Sequence, residues 1–94
     1  MVQERGAAMI KHVIFGVHVT DRMKNAGELQ KALSEFGSQI KTRLGLHEVS
    51  ASSCSPNGLV ILEMIGDDVT LEHAAQRFAG IEGVELQRMV FTHA

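Results

Sequence analysis

The chain has no tryptophan, no tyrosine and four phenylalanines in 94 residues. Its core must therefore be assembled from Val, Ile, Leu, Met and Ala. A single cysteine, Cys54, excludes an internal disulfide and fits a reducing compartment. No apolar run approaches the ~20 residues that a membrane-spanning helix needs, so no membrane partner is expected. Positive charge is not in excess either. Nine Lys and Arg stand against eleven Asp and Glu, for a net charge of −2. Lys11, Arg22, Lys24, Lys31, Lys41, Arg43, Arg77 and Arg88 are dispersed among acids. Nucleic-acid affinity comes largely from basic groups neutralising phosphates, so no direct nucleic-acid binding is expected. The opening residues, MVQERGAAM, include both Glu4 and Arg5 and make a poor secretory signal, and Lys11, His12 and His18 interrupt the apolar stretch beyond them. A cytoplasmic location is the expectation.

What is present is ordinary globular material, 45% hydrophobic and 21% charged. A chain of this size buries only about 60–65% of its unfolded surface and supports one core. Residues 1–9 show no period and read as an N-terminal extension, with a single domain over 10–94.

From Ile10 to Thr20 the chain alternates. Val13, Phe15, Val17 and Val19 occupy one face, and His12, Ile14, Gly16 and His18 the other. That is a strand with its odd face in the core. Asp21, or alternatively Asn25 with Glu28 three residues on, can cap the next element. Ala26, Leu29, Leu33, Phe36, Ile40 and Leu44 form an apolar helical stripe. Gly37 interrupts it, which predicts one helix to about Glu35, a further helical turn to Leu44 and a C-cap at Gly45. Leu46–Ser53 reads as a half-exposed edge strand, and Cys54–Gly58 as a turn. Leu59–Ile65 is apolar on both faces except for Glu63, as suits a central strand. After Gly66-Asp67-Asp68, with Asp68 or Thr70 as cap, the residues Leu71, Ala74, Ala75, Phe78 and Ile81 predict a second amphipathic helix, ended by Gly80 and Gly83. Val84–Thr92 is the last strand. Its apolar phase shifts between Leu86 and Met89, which suggests a bulge near Gln87-Arg88 or burial of both faces.

The order strand–helix–strand–strand–helix–strand predicts an α+β, ferredoxin-like βαββαβ sandwich, a four-stranded antiparallel sheet with two helices on one face. The other face would carry Ile14 and one apolar side of the third strand. Monomers rarely expose large contiguous apolar patches, so a homo-oligomer is expected, a dimer or tetramer and most simply a twofold dimer.

Particular segments carry a family resemblance. Val19-Thr20-Asp21-Arg22, Ala26-Gly27-Glu28-Leu29 and Leu33-Ser34-Glu35-Phe36-Gly37 resemble the opening of ACT regulatory domains. Leu33–Ile40 followed by Arg43-Leu44-Gly45-Leu46, with Phe78–Val84, is similar to the iron-only hydrogenase system regulators, stand-alone ACT-like domains of about this length. His47 stands where that pattern usually has proline, and the hairpin at Ser52–Asn57 is a few residues longer. The resemblance covers roughly residues 10–92. It implies regulation of a metalloenzyme system and binding of a small effector, such as an amino acid, near a subunit interface. Carried across residue by residue, it nominates Asp21, Arg22 and Gly27 from the first loop, and Arg43, Gly45 and His47 from the approach to the second strand.

The chemistry legible from residue types is sparse. Arg22 and Arg43 suit a carboxylate effector, although an ordinary surface or intrachain salt bridge is the commoner role for such residues. Glu63 marks a contact on the open face or a polar pocket, and the contact reading is preferred because a buried unpaired carboxylate is costly. His12 and His18 lie six residues apart, about 20 Å in an extended strand, and cannot chelate one ion within a subunit. His47 and Cys54 match no metal motif. Nothing resembles a nucleophile elbow, a phosphate-cradling loop or a carboxylate pair, so no catalytic residues, resident metal or cofactor are expected. Two other readings remain open. One is a metal-sensing module built from His12, His18, His47 and Cys54, like the effector domain of nickel-responsive regulators. The other is a small dimeric enzyme with its pocket between sheet and helices, which the aliphatic inward stripes disfavour.

Overall fold

The structure, a computed structural model, describes residues 10–20, 26–47 and 58–93. The N-terminal extension, the capping residues Asp21 and Asn25, and the Cys54–Asn57 turn lie outside the described residues.

The elements run β1 (Ile10–Val19), α1 (Ala26–Glu35), a 3₁₀ turn (Gly37–Gln39), β2 (Ile40–His47), β3 (Gly58–Met64), α2 (Asp68–Ala79) and β4 (Val84–His93). The strands form one antiparallel sheet in the order β2-β3-β1-β4. This is the predicted βαββαβ sandwich, with β1 and β3 central and β2 at an edge.

The odd face of β1 delivers Val13, Phe15, Val17 and Val19 to the core. Leu62 and Met64 join them from β3, Leu29, Ala32 and Leu33 from α1, and Leu71, Ala74, Ala75 and Phe78 from α2, with Ile81 just beyond it. Both helical stripes thus close on one side of the sheet. Phe78 is fully buried, edge-on to Phe15 at 6.2 Å between ring centroids and tilted against Phe36 at the same distance. The few aromatics are concentrated where they fill the most volume.

Three expectations need correction. The stripe residues Ile40 and Leu44 belong to β2, not to a helical turn, and Gly45 pairs with Val60 inside that strand, so it is no C-cap. The cap of α2 is Asp67, not Asp68 or Thr70; its carboxylate accepts the Thr70 backbone N–H at 2.7 Å. Finally, β4 pairs with β1 in unbroken register from Val84 to His93, without a bulge at Gln87-Arg88. Its two apolar phases coexist because its distal half is exposed on both faces, with Met89, Val90 and Phe91 all more than half accessible. The irregularity in the sheet falls instead between Ile40 and Thr42. Gly83 ends the α2 connection at φ +86°, a conformation that favours glycine, and its carbonyl accepts both the Thr20 N–H and the Thr20 hydroxyl at 2.8 Å.

Salt bridges fasten the helices. Arg77 on α2 reaches Glu35 at 2.9 Å and Glu28 at 3.4 Å on α1, while Lys11 holds Asp68 and Arg88 holds Glu72. The hydrogen bond from Arg77 holds the Glu35 carboxyl below its ordinary range, and the Arg88 bond does the same for Glu72. The backbone N–H of Thr70 lowers Asp67. All three groups have folded values below their unfolded ones. Their stabilisation is complete above the ordinary carboxylate range of about 4 and is lost as pH falls through the folded values. Melting temperature is therefore expected to decline on acidification below about pH 4. Asp67→Asn, which keeps an oxygen acceptor but no charge, should flatten that decline in a pH series of thermal melts. An unchanged slope would remove Asp67 from the account.

Candidate functional site

The helix-free face of the sheet carries a trough bordered by residues of three strands. Register sets its composition. Ile14 lies opposite Glu63 and Met89, Gly16 opposite Ile61 and Gln87, and His18 opposite Leu59 and Glu85. β2 adds Leu44 opposite Ile61 and Thr42 opposite Glu63. The result is a shallow trough of about 520 Å³ lined by Ile14, Gly16, His18, Leu59, Ile61, Glu85, Gln87, Arg88 and Met89. Gly16 forms its floor because it lacks a side chain. A Cβ there would come no closer than 3.9 Å to the Gln87 carbonyl.

Polar groups rim this apolar band. His18 Nδ1 meets Glu85 Oε1 at 2.7 Å at one end. At the other, His12 Nε2 lies 3.0 Å from His93 Nε2. Glu63, expected on the open face, is there; its carboxylate accepts the Thr42 hydroxyl at 3.2 Å and stands 3.9 Å from Lys41 Nζ. It is partnered, not a buried orphan. The His12–His93 juxtaposition was invisible in the sequence because the two are 81 positions apart, and only the β1–β4 register brings them to one end.

The nominated effector residues fall elsewhere. Asp21 and Arg22 are outside the described residues. Gly27 opens α1, and Arg43, Gly45 and His47 lie at alternate positions of β2. Arg43 pairs with the buried Leu62, which places Arg43 and Gly45 on the helix-bearing side of the edge. Val19 and His47 both register with Gly58, so the end of β1 and the end of β2 stand at the same level of the sheet. The two strand ends stand on either side of the start of β3. Among the described residues of this set, Gly27, Arg43 and Gly45 are not part of the trough lining.

Among the described residues, no three His, Cys, Asp or Glu side chains cluster closely enough to hold a metal ion. No described helix is long and apolar enough to cross a membrane.

No family model matches the chain. No curated protein matches it either. Among solved structures it is similar to an uncharacterized protein, TM1266, from Thermotoga maritima. The TM-score is 0.73 at 20% sequence identity, over 87% of this chain and 99% of that one. Likeness at that identity speaks to the fold, and it covers nearly the whole of the neighbour.

Proposed function

We propose that the chain is a regulatory, small-effector-binding ACT-like domain that works through self-association rather than catalysis. The observation that carries this reading is the apolar face of the sheet, with Ile14, Leu44, Leu59, Ile61 and Met89 on the side that neither described helix covers. Such a face suits a second copy, and a twofold dimer is the simplest closed arrangement. The effector site of this reading is the sheet end where β1 and β2 finish, with Asp21, Arg22, Gly27, Gly45 and His47 as its nominated residues. Arg43, exposed on the β2 edge, supplies a guanidinium for a carboxylate.

The resemblance of Leu33–Ile40 and Arg43–Leu46 to iron-only hydrogenase system regulators supplies the finer version, regulation of that metalloenzyme system from the cytoplasm. The partner would then be a component of the system, reached through the assembled dimer.

A thermal-shift screen of the amino acids tests the effector reading. A ligand at a hundred times its Kd stabilises by about 2.7 kcal/mol, a shift of roughly 10 °C or more in a domain this small. Arg43→Ala should abolish the shift while leaving the melting temperature of the free protein in place. If no amino acid moves the transition, the effector assignment fails.

A further inference from the structure

The pairing of β1 with β3 stops at Val13 opposite Met64, whereas the pairing of β1 with β4 continues to Ile10 opposite His93. The last three residues of this ribbon project past the four-stranded body. His12, opposite Phe91, and His93, opposite Ile10, are diagonal neighbours on its helix-free side. Their rings are near parallel, 15° between planes with centroids 5.1 Å apart, yet the two Nε2 atoms are only 3.0 Å apart. The rings therefore meet nitrogen to nitrogen, and both side chains are solvent-exposed.

We propose that His12 and His93 form a two-imidazole chelate for a late first-row divalent metal ion, nickel or copper in preference to zinc. Imidazole nitrogens bind such metals at about 2.0–2.1 Å. An ion at that distance from both Nε2 atoms would see them roughly 95° apart, the cis angle of square-planar or octahedral coordination. Copper heads the affinity order of the late first-row series for nitrogen ligands, and both nickel and copper accept that cis arrangement. Exposed imidazoles turn on a picosecond-to-nanosecond timescale, so both lone pairs can swing onto a shared ion. Both rings bind as the Nδ1–H tautomer: the Nε2 proton shared between them in the metal-free chain moves through water to Nδ1 of the same ring, the ion takes its place, and water fills the remaining positions. Lys11, the cation next along β1, is on the other face and is held by Asp68 at 2.9 Å. The site lies at the opposite end of the sheet from the nominated effector residues and stands independently of that reading.

Calorimetric titration of the untagged chain with nickel chloride and with copper sulfate is the test. One ion per chain is expected, with affinity falling at least about tenfold in His12→Ala and in His93→Ala. His18→Ala, on the same face but paired with Glu85, should bind like the parent. Copper electron paramagnetic resonance should show two nitrogen couplings in the parent and one in each single variant. Absence of binding overturns the proposal. So does binding that survives both substitutions and disappears instead with His47→Ala or Cys54→Ser.

Discussion

Replacing Phe78 with alanine is expected to lower the melting temperature by roughly 12–25 °C. Phe78 is fully buried and contacts both other described core aromatics, edge-on to Phe15 and tilted against Phe36. Truncating a buried Phe costs about 3–5 kcal/mol through lost transfer energy and the cavity left behind. Total stability in a domain this small is of order 5–14 kcal/mol, so the loss is a large share of it. Two circumstances push the cost upward. The core it belongs to includes Ala32, Ala74 and Ala75, whose short side chains have no reach with which to refill a cavity. The geometry between the rings also contributes about 0.5–1.5 kcal/mol per pair beyond area. Phe78→Leu, which fills part of the volume, should fall between parent and Ala. A fall of less than about 5 °C for Phe78→Ala would mean that the α2 stripe is not the keystone of the core.

The second large effect concerns assembly. Ile61→Asp should weaken self-association by roughly 100-fold or more while leaving the monomer folded. Ile61 sits at the middle of the helix-free face, opposite Gly16 on one side and Leu44 on the other. It is only partly buried in the single chain, so a carboxylate there remains hydrated. In a twofold contact the substitution enters twice, and each uncompensated ion removed from water costs several kcal/mol. Sedimentation velocity across a concentration series reads the association, and far-UV circular dichroism reads the fold. A parent chain that stays monomeric at about 100 µM, or a variant that assembles like the parent, would overturn the assignment of this face.

Sequence periodicity revealed much of this architecture, and its failures have definite physical sources. In β1, four apolar residues at odd positions admit one interpretation, because only a period of two puts Val13, Phe15, Val17 and Val19 together. In α2, the spacing from Leu71 to Ile81 is equally unambiguous. The end of the first helix at Glu35 is legible, but the further helical turn to Leu44 is a misreading, because a step of four residues serves both structures. Phe36, Ile40 and Leu44 share a face of a helix, and residues four apart also share a face of a strand. The decisive signal lay in the neighbours. Lys41, Arg43 and Gly45 alternate with Thr42, Leu44 and Leu46, and the 3₁₀ turn after Gly37 resets the period. The contact at Ile40/Thr42 then shifts the phase by one, which lets Ile40 pack on the core while Leu44 faces the open side. Asp67 and Asp68 are equivalent as letters, and only the position of the Thr70 N–H chooses between them.

The open face was partly legible, since Ile14 and the apolar third strand predicted it. Its polar ends were not. His18 with Glu85, and His12 with His93, are contacts between the first and last strands, and no local pattern records which residues will face each other across a sheet.

That first and last strands are neighbours bears on how the molecule comes into being. Val19 joins Val84, and Ile10 joins His93. Until the ten residues of β4 arrive, β1 can be bordered on one flank only, and half the backbone groups of this central strand have no sheet partner. Closing so long a stretch of chain is slow relative to forming local helix. A nascent chain emerging during synthesis would therefore carry an unfinished sheet until β4 has been made, and that strand acts as the closing stave.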